Sequence, residues 1–204
     1  VGSEPPLYAH IRAVAPNHRH VPAGISDVFR FEPTIEANPD AVVAVLRGAG
    51  PCFTAGIDLE LLGSVRQEIA DACDGRMREK LRRLILDLQD SLTSIERCRK
   101  PVLAAIHGHC IGGGVDLVCA CDMRYCSSDA TFSIKEIDVG MTADVGTLQR
   151  LPKLIGEGMV RELAYTGRAV AGPEAKEIGL VNHIYASAGM LFHEVAKIAA
   201  TIAK

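Results

Sequence analysis

The chain has 204 residues, 48% of them hydrophobic, and a formal net charge of −3. That length and apolar content suit one globular domain with a sizeable core and exclude a disordered chain. The small negative charge gives no electrostatic case for nucleic acid or an anionic membrane, and an aromatic content of 4% with no tryptophan argues against a base-stacking surface.

The first residues, Val1-Gly2-Ser3-Glu4-Pro5-Pro6, lack the basic and apolar regions of a signal peptide. Leu7 to Val14 reads as a strand. Pro16 to Gly24 reads as a loop, and a solvated loop explains His18-Arg19-His20 more simply than a metal or phosphate contact. Ser26 to Ala37 has helical character that Pro33 interrupts. Ala41 to Leu46 is a short, β-branched apolar run, the mark of a buried strand in a parallel sheet. The loop Gly48 to Pro51 leads into Cys52-Phe-Thr-Ala-Gly-Ile-Asp58.

Arg76 to Arg99 is the clearest helix. Met77, Leu81, Leu84, Ile85, Leu88, Leu92 and Ile95 recur at three- and four-residue steps, and Arg76, Arg78, Lys80, Arg82 and Arg83 read as a solvated face. Lys100-Pro101 ends it. Val102 to Ile106 is a second buried strand. His107 to Gly114 turns the chain into a helix over Val115 to Cys121. Met123 to Cys126 is a third strand and Thr131 to Ile134 a fourth. Gly146 to Ile155 and Val160 to Thr166 read as helices, and Pro173 fits the first turn of another that Gly179 ends. Leu180 to Tyr185 returns to a strand, and Gly189 to Lys204 is helical to the end of the chain. Strands alternating with helices predict an α/β fold with a largely parallel sheet. No apolar run approaches the length of a bilayer span, so no membrane span is expected.

Four of the seven cysteines, Cys110, Cys119, Cys121 and Cys126, fall in one apolar stretch at irregular spacing. Zinc sites repeat fixed Cys and His spacings, so buried free thiols in a reducing compartment are expected, and no metal.

Gly112-Gly113-Gly114 lies between a buried strand and a helix. Glycine loses the most entropy on folding, so three in a row need a reason. One reason is tight strand–helix packing. The other is close approach of a ligand to bare backbone, where helix N–H groups without internal partners hold an anion or an oxygen becoming one. The run is neither a dinucleotide fingerprint nor a phosphate loop. Asp116 stands in the first turn of the following helix, among apolar residues. Glu136, Asp138 and Asp144 follow in an irregular, glycine-containing segment, where periodicity alone leaves them readable as surface charges.

Phe53-Thr-Ala-Gly-Ile-Asp58, Lys100-Pro101 with Ala104-Ala-Ile-His-Gly108, Gly112-Gly-Gly-Val-Asp-Leu117 and Cys121-Asp-Met-Arg124, in that order, resemble the crotonase superfamily of enoyl-CoA hydratases and isomerases. The resemblance runs from about Ala41 to about Tyr185. Ile134-Lys-Glu-Ile-Asp-Val-Gly140 and Ala143-Asp-Val-Gly-Thr-Leu-Gln-Arg-Leu-Pro152 are similar to the Δ3,5-Δ2,4-dienoyl-CoA isomerases within it. Hydratases commonly carry a small residue where Asp144 stands and Glu where Asp116 stands.

The resemblance implies a crotonase-like ββα spiral with a core domain over 1–185. The family's C-terminal helical part would begin at 186–204 and be truncated here. It implies an acyl-CoA thioester as substrate, no separate cofactor, and fatty-acid β-oxidation in mitochondria or peroxisomes. A homotrimer or hexamer is implied where the C-terminal helices are present. The thioester oxygen would sit between the backbone N–H groups of Ile57 and Gly113, with Ala55, Gly56, Asp58, Gly112 and Gly114 lining the substrate. Asp144 would act as base near the C2 proton, Glu136 as acid at the far end of the diene, and Asp116 as a third carboxylate, although the acid and base roles are exchangeable. Hydration, Δ3-Δ2-enoyl-CoA isomerisation and a non-catalytic acyl-CoA-binding or scaffold subunit are the competing readings. The family's N-terminal coenzyme-binding stretch is poorly matched by Ala15-Pro-Asn-His-Arg-His-Val-Pro22.

Overall fold

A computed structural model describes residues 8–13, 41–48, 50–56 and 59–204, with 8–13, 59–62 and 64 as backbone. The predicted loop over Pro16 to Gly24, the interrupted helix over Ser26 to Ala37, and Ile57 and Asp58 lie outside the described residues. In chain order the elements are β1 (Tyr8–Ala13), β2 (Val43–Gly48), α1 (Leu59–Glu68), α2 (Asp74–Arg97), β3 (Val102–Ile106), β4 (His109–Ile111) and α3 (Gly113–Cys119). Then follow β5 (Met123–Ser127), β6 (Thr131–Ser133), a 3-10 turn (Glu136–Val139), α4 (Thr147–Arg150), a second 3-10 turn (Leu151–Lys153), α5 (Glu157–Thr166), β7 (Val170–Ala171), α6 (Gly172–Glu177), β8 (His183–Tyr185) and α7 (Ala188–Ile202).

The main sheet is parallel throughout, in the order β1-β2-β3-β5-β8. This is the predicted α/β architecture. Its central strands β2 and β3 are buried and almost wholly apolar because both faces are covered there. Side chains alternate across it with period two. Ala44, Leu46, Val102, Ala104, Ile106 and Cys126 enter the core on one face. Val43, Val45, Leu103, Ala105 and Tyr125 point to the other, where α7 covers them with Leu191, Val195 and Ala199, one turn apart. Burying a Leu or Val side chain of this kind contributes roughly 1.5–3 kcal/mol. A smaller sheet, β4-β6-β7, lies beside the first core and carries the chain into α3.

Several elements depart from the expected ones. The predicted helix over Gly146 to Ile155 breaks after Arg150, because Pro152 has no N–H to continue an α-helical ladder, and a 3-10 turn takes over. The predicted strand over Leu180 to Tyr185 pairs only from His183. The Leu180 carbonyl is occupied by the Arg124 guanidinium at 2.9 Å instead. Strand β4 and helix α1 were not foreseen; the three residues of β4, of mixed polarity, are too few to show a period.

The apolar stripe of α2 is buried only near its C-terminus, at Leu92 and Ile95, while Leu81 is exposed. Its basic residues are solvated as expected and pair locally, Arg76 and Lys80 with Asp71 and Arg83 with Glu79. Cys110, Cys119, Cys121 and Cys126 are buried free thiols. Burial pushes Cys119, Cys121 and Cys126 up to about 12. No helix among the described residues is long and apolar enough to cross a membrane.

Candidate active site

Two predicted loops meet through strand β4. Thr54 forms a parallel bridge to Cys110, its N–H donating to the His109 carbonyl at 2.9 Å and its carbonyl accepting from Ile111 N–H at 3.3 Å. The Ala55-Gly56 turn is therefore laid alongside the strand that leads into Gly112. The Thr54 hydroxyl accepts from Gly56 N–H at 3.2 Å and holds the turn. Ala55 is exposed and Gly56 half-buried.

The three consecutive glycines do three different things. Gly112 has φ 55° and ψ −122°, backbone that L side chains rarely adopt. A Cβ on it would also lie 3.3 Å from Oε1 of Glu136, so its bareness admits that carboxylate. Gly114 is buried, and a Cβ there would collide with the Thr54 methyl and crowd the Cys110 sulfur. Packing explains Gly114. Gly113 has neither constraint: a Cβ on it meets nothing within 4 Å. Among the described residues its N–H makes no backbone hydrogen bond. It is the one glycine of the run that faces open space.

Helix α3 carries Asp116 into the interior, where it is fully buried. Oδ1 accepts from the Thr147 N–H at 2.6 Å, and Oδ2 has no hydrogen-bond partner. Burial raises the proton affinity of this carboxyl, Thr147 opposes the rise, and the nearby Asp144 charge adds to it. Glu136, at the start of the 3-10 turn, is half-buried, and its Oε2 is buried without a partner. Burial raises its proton affinity as well, with the Asp116 and Asp144 charges adding to the effect. Asp144 is half-buried on the segment before α4, with its backbone carbonyl accepting from Gln89 Nε2 at 2.6 Å. Asp138 is exposed and paired with Lys135 at 2.8 Å.

The structure thus brings Asp116, Glu136 and Asp144 into mutual electrostatic range and leaves Asp138 out. Asp116 Oδ2 and Glu136 Oε2 are two of the buried side-chain atoms among the described residues that lack a hydrogen-bond partner. An orphaned buried acceptor costs roughly 1–3 kcal/mol, so a cluster of them marks a place kept for something other than stability. No group of three or more His, Cys, Asp or Glu among the described residues is arranged to hold a metal.

Sequence reasoning missed Thr147, Gln89 and Arg150. Buried Arg150 donates to Glu96 Oε2 at 2.9 Å and to Thr93 Oγ1 at 3.0 Å, and its charge reaches Asp116.

The description enoyl-CoA hydratase/isomerase belongs to the family model that matches residues 27–204. The chain is 52% identical over 167 residues to the peroxisomal Δ3,5-Δ2,4-dienoyl-CoA isomerase of Arabidopsis thaliana, covering 81% of this chain and 60% of that protein. It is 44% identical over 200 residues to the mitochondrial Δ3,5-Δ2,4-dienoyl-CoA isomerase of Homo sapiens, covering 95% of this chain and 60% of that protein. The chain therefore spans about 60% of the length of these curated relatives. The crystal structure of an enoyl-CoA hydratase from Bacillus anthracis superposes with a TM-score of 0.80 at 30% identity, over 99% of this chain and 75% of that one. Motif order, parallel-sheet architecture and these similarities agree that the chain belongs to the enoyl-CoA hydratase/isomerase family.

Proposed function

We propose that the protein isomerises a 3,5-dienoyl-CoA to the 2,4-dienoyl-CoA in fatty-acid β-oxidation, in a mitochondrion or peroxisome as the names of its relatives suggest. The observation that carries this reading is the trio of carboxylates, two of them with buried, unpartnered oxygens, beside a glycine with open space at its backbone. The thioester oxygen lies against the N–H of Gly113, with the N–H of Ile57 as second donor. Removing the C2 proton makes an enolate whose charge collects on that oxygen, and fixed backbone donors stabilise it without reorganising.

The atoms balance without water, metal or electron carrier. Asp144 takes the C2 proton. The electron pair moves to form the C2–C3 and C4–C5 double bonds, and Glu136 delivers a proton to C6. Glu136 suits the acid role because burial favours its protonated form. Asp116 supports that role, since its charge adds to the proton affinity of Glu136. After one turnover Asp144 holds a proton and Glu136 has lost one, so a proton passes back or exchanges with solvent before the next. An acid at 144, rather than the small residue common in hydratases, favours isomerisation over hydration.

Ultraviolet absorbance tests this directly, because a 2,4-diene conjugated with the thioester absorbs differently from the 3,5-diene. The full-length protein should convert 3,5-dienoyl-CoA. Asp144→Asn should lower kcat by about 10²- to 10⁴-fold while acyl-CoA binding persists. Folded, full-length protein that leaves the absorbance unchanged would sink the proposal.

A further inference from the structure

Three polar residues on one side of α2 reach across to the segment that carries Asp144. Gln89, Thr93 and Glu96 stand four and three residues apart, so they form one stripe on the helix surface. Gln89 Nε2 donates to the Asp144 carbonyl at 2.6 Å. Arg150 donates through Nε to Glu96 Oε2 at 2.9 Å and through Nη2 to Thr93 Oγ1 at 3.0 Å. The Thr93 hydroxyl passes the connection on, donating to the Gln89 carbonyl at 2.7 Å.

Segment 144–150 is therefore tied to α2 at both ends. Its middle is tied to α3, through the Thr147 N–H on Asp116 at 2.6 Å. Gly146 completes the arrangement. Its φ of 139° is one that L side chains rarely adopt, and a Cβ there would collide with the Arg150 guanidinium. The stripe lies on the C-terminal part of α2, which is packed into the core at Leu92 and Ile95. It joins a helix packed into the core to a stretch whose own helical turn begins only at Thr147.

We propose that Gln89, Thr93 and Arg150 are positioning residues, a polar clamp from α2 that fixes where Asp144 stands relative to Asp116 and Glu136. This rests on the isomerase reading for its effect on turnover, but not for its effect on structure. A carboxylate on an unanchored segment samples positions that do not reach the substrate, and a misplacement of 1 Å costs about 100-fold in rate. The clamp acts through the backbone of Asp144 rather than its carboxylate, so it leaves substrate affinity largely alone.

The experiment compares the full-length protein with Gln89→Leu, which removes the donor, and Gln89→Lys, which keeps one. Arg83→Ala, on the solvated part of α2, is the control. Each is assayed on 3,5-dienoyl-CoA below its melting temperature, and hydrogen exchange over residues 140–148 is followed in parallel. Gln89→Leu should lose about 10- to 100-fold in kcat with KM changed less than about threefold. Gln89→Lys should recover most of the loss, and Arg83→Ala should match the parent. Exchange should quicken in 140–148 for the Leu variant and not in β3 or β5. Thr93→Val should show the same pattern, more weakly. Parent-like kcat in Gln89→Leu, or unchanged exchange over 140–148, overturns the clamp. If the parent protein does not convert the substrate, the isomerase reading falls and the exchange result alone decides the clamp.

Discussion

The glycine loop at 112–114 is shaped by missing side chains, whereas segment 136–150 is shaped by side chains from elsewhere. In the loop, a positive φ at Gly112 and the Thr54 methyl against Gly114 dictate the backbone path. The constraints on Gly112 and Gly114 are steric: each is a place where a side chain does not fit. In the segment, Asp144 is fixed by Gln89, 55 residues away in sequence, and Arg150 by Glu96, 54 residues away. One half of the site can be broken by adding a methyl group. The other breaks by losing a hydrogen bond to a distant helix.

The largest effect expected from added bulk is at Gly114. Gly114→Ala drives its methyl into the Thr54 side chain, which cannot rotate away without losing its bond to Gly56 N–H. Overpacking of this kind costs about 1–3 kcal/mol, read as a fall in the denaturant midpoint at constant slope. Thr54→Ser removes the colliding methyl and keeps the hydroxyl. In the Gly114→Ala background it should restore most of the lost stability. If it restores none, the cause given for this glycine is wrong.

Gly113→Ala sharpens the contrast within the same three residues. The space around it is open, so the fold should be unaffected or slightly stabilised, as Ala is the better helix former. The added methyl stands where the thioester is proposed to lie, and kcat should fall by about 10- to 100-fold. Loss of stability with retained turnover would reverse the roles given to Gly113 and Gly114.

The difference between the two halves also explains what could be read from the sequence. The parallel sheet was legible because β2 and β3 are buried on both faces and their apolar runs say so. The glycine loop was legible as a site because three glycines after such a strand are costly anywhere else. Asp116, Glu136 and Asp144 were identified by resemblance to a family; their spacing alone does not separate them from Asp138, which is exposed and bonded to Lys135. The Gln89–Thr93–Arg150 connection left no local trace. In sequence, Gln89 and Thr93 are ordinary polar residues of an amphipathic helix, and nothing near them announces a partner more than fifty residues on.

The last test concerns the cost of the carboxylate half, and it is a change of slope rather than a loss. Burial raises the proton affinity of both Asp116 and Glu136 above the ordinary values of 3.8 and 4.5. As pH rises from acid, the unfolded chain releases these protons first while the folded protein still holds them. The folded state binds more protons in that window, so stability falls as pH rises from about 3.8 through the raised folded values and stays lower above them. Asp116→Asn and Glu136→Gln have no proton to release. Asn at 116 can still accept the Thr147 N–H through its amide oxygen. Both variants should therefore melt at or above the parent temperature near neutral pH, with the advantage shrinking as pH falls and vanishing once the parent carboxyls are protonated in both states. Thermal melts across that pH range decide the matter. Variant and parent curves that stay parallel would mean the buried carboxylates are not destabilising the fold. The cluster would then lose its strongest physical signature of a site kept for chemistry at the expense of stability.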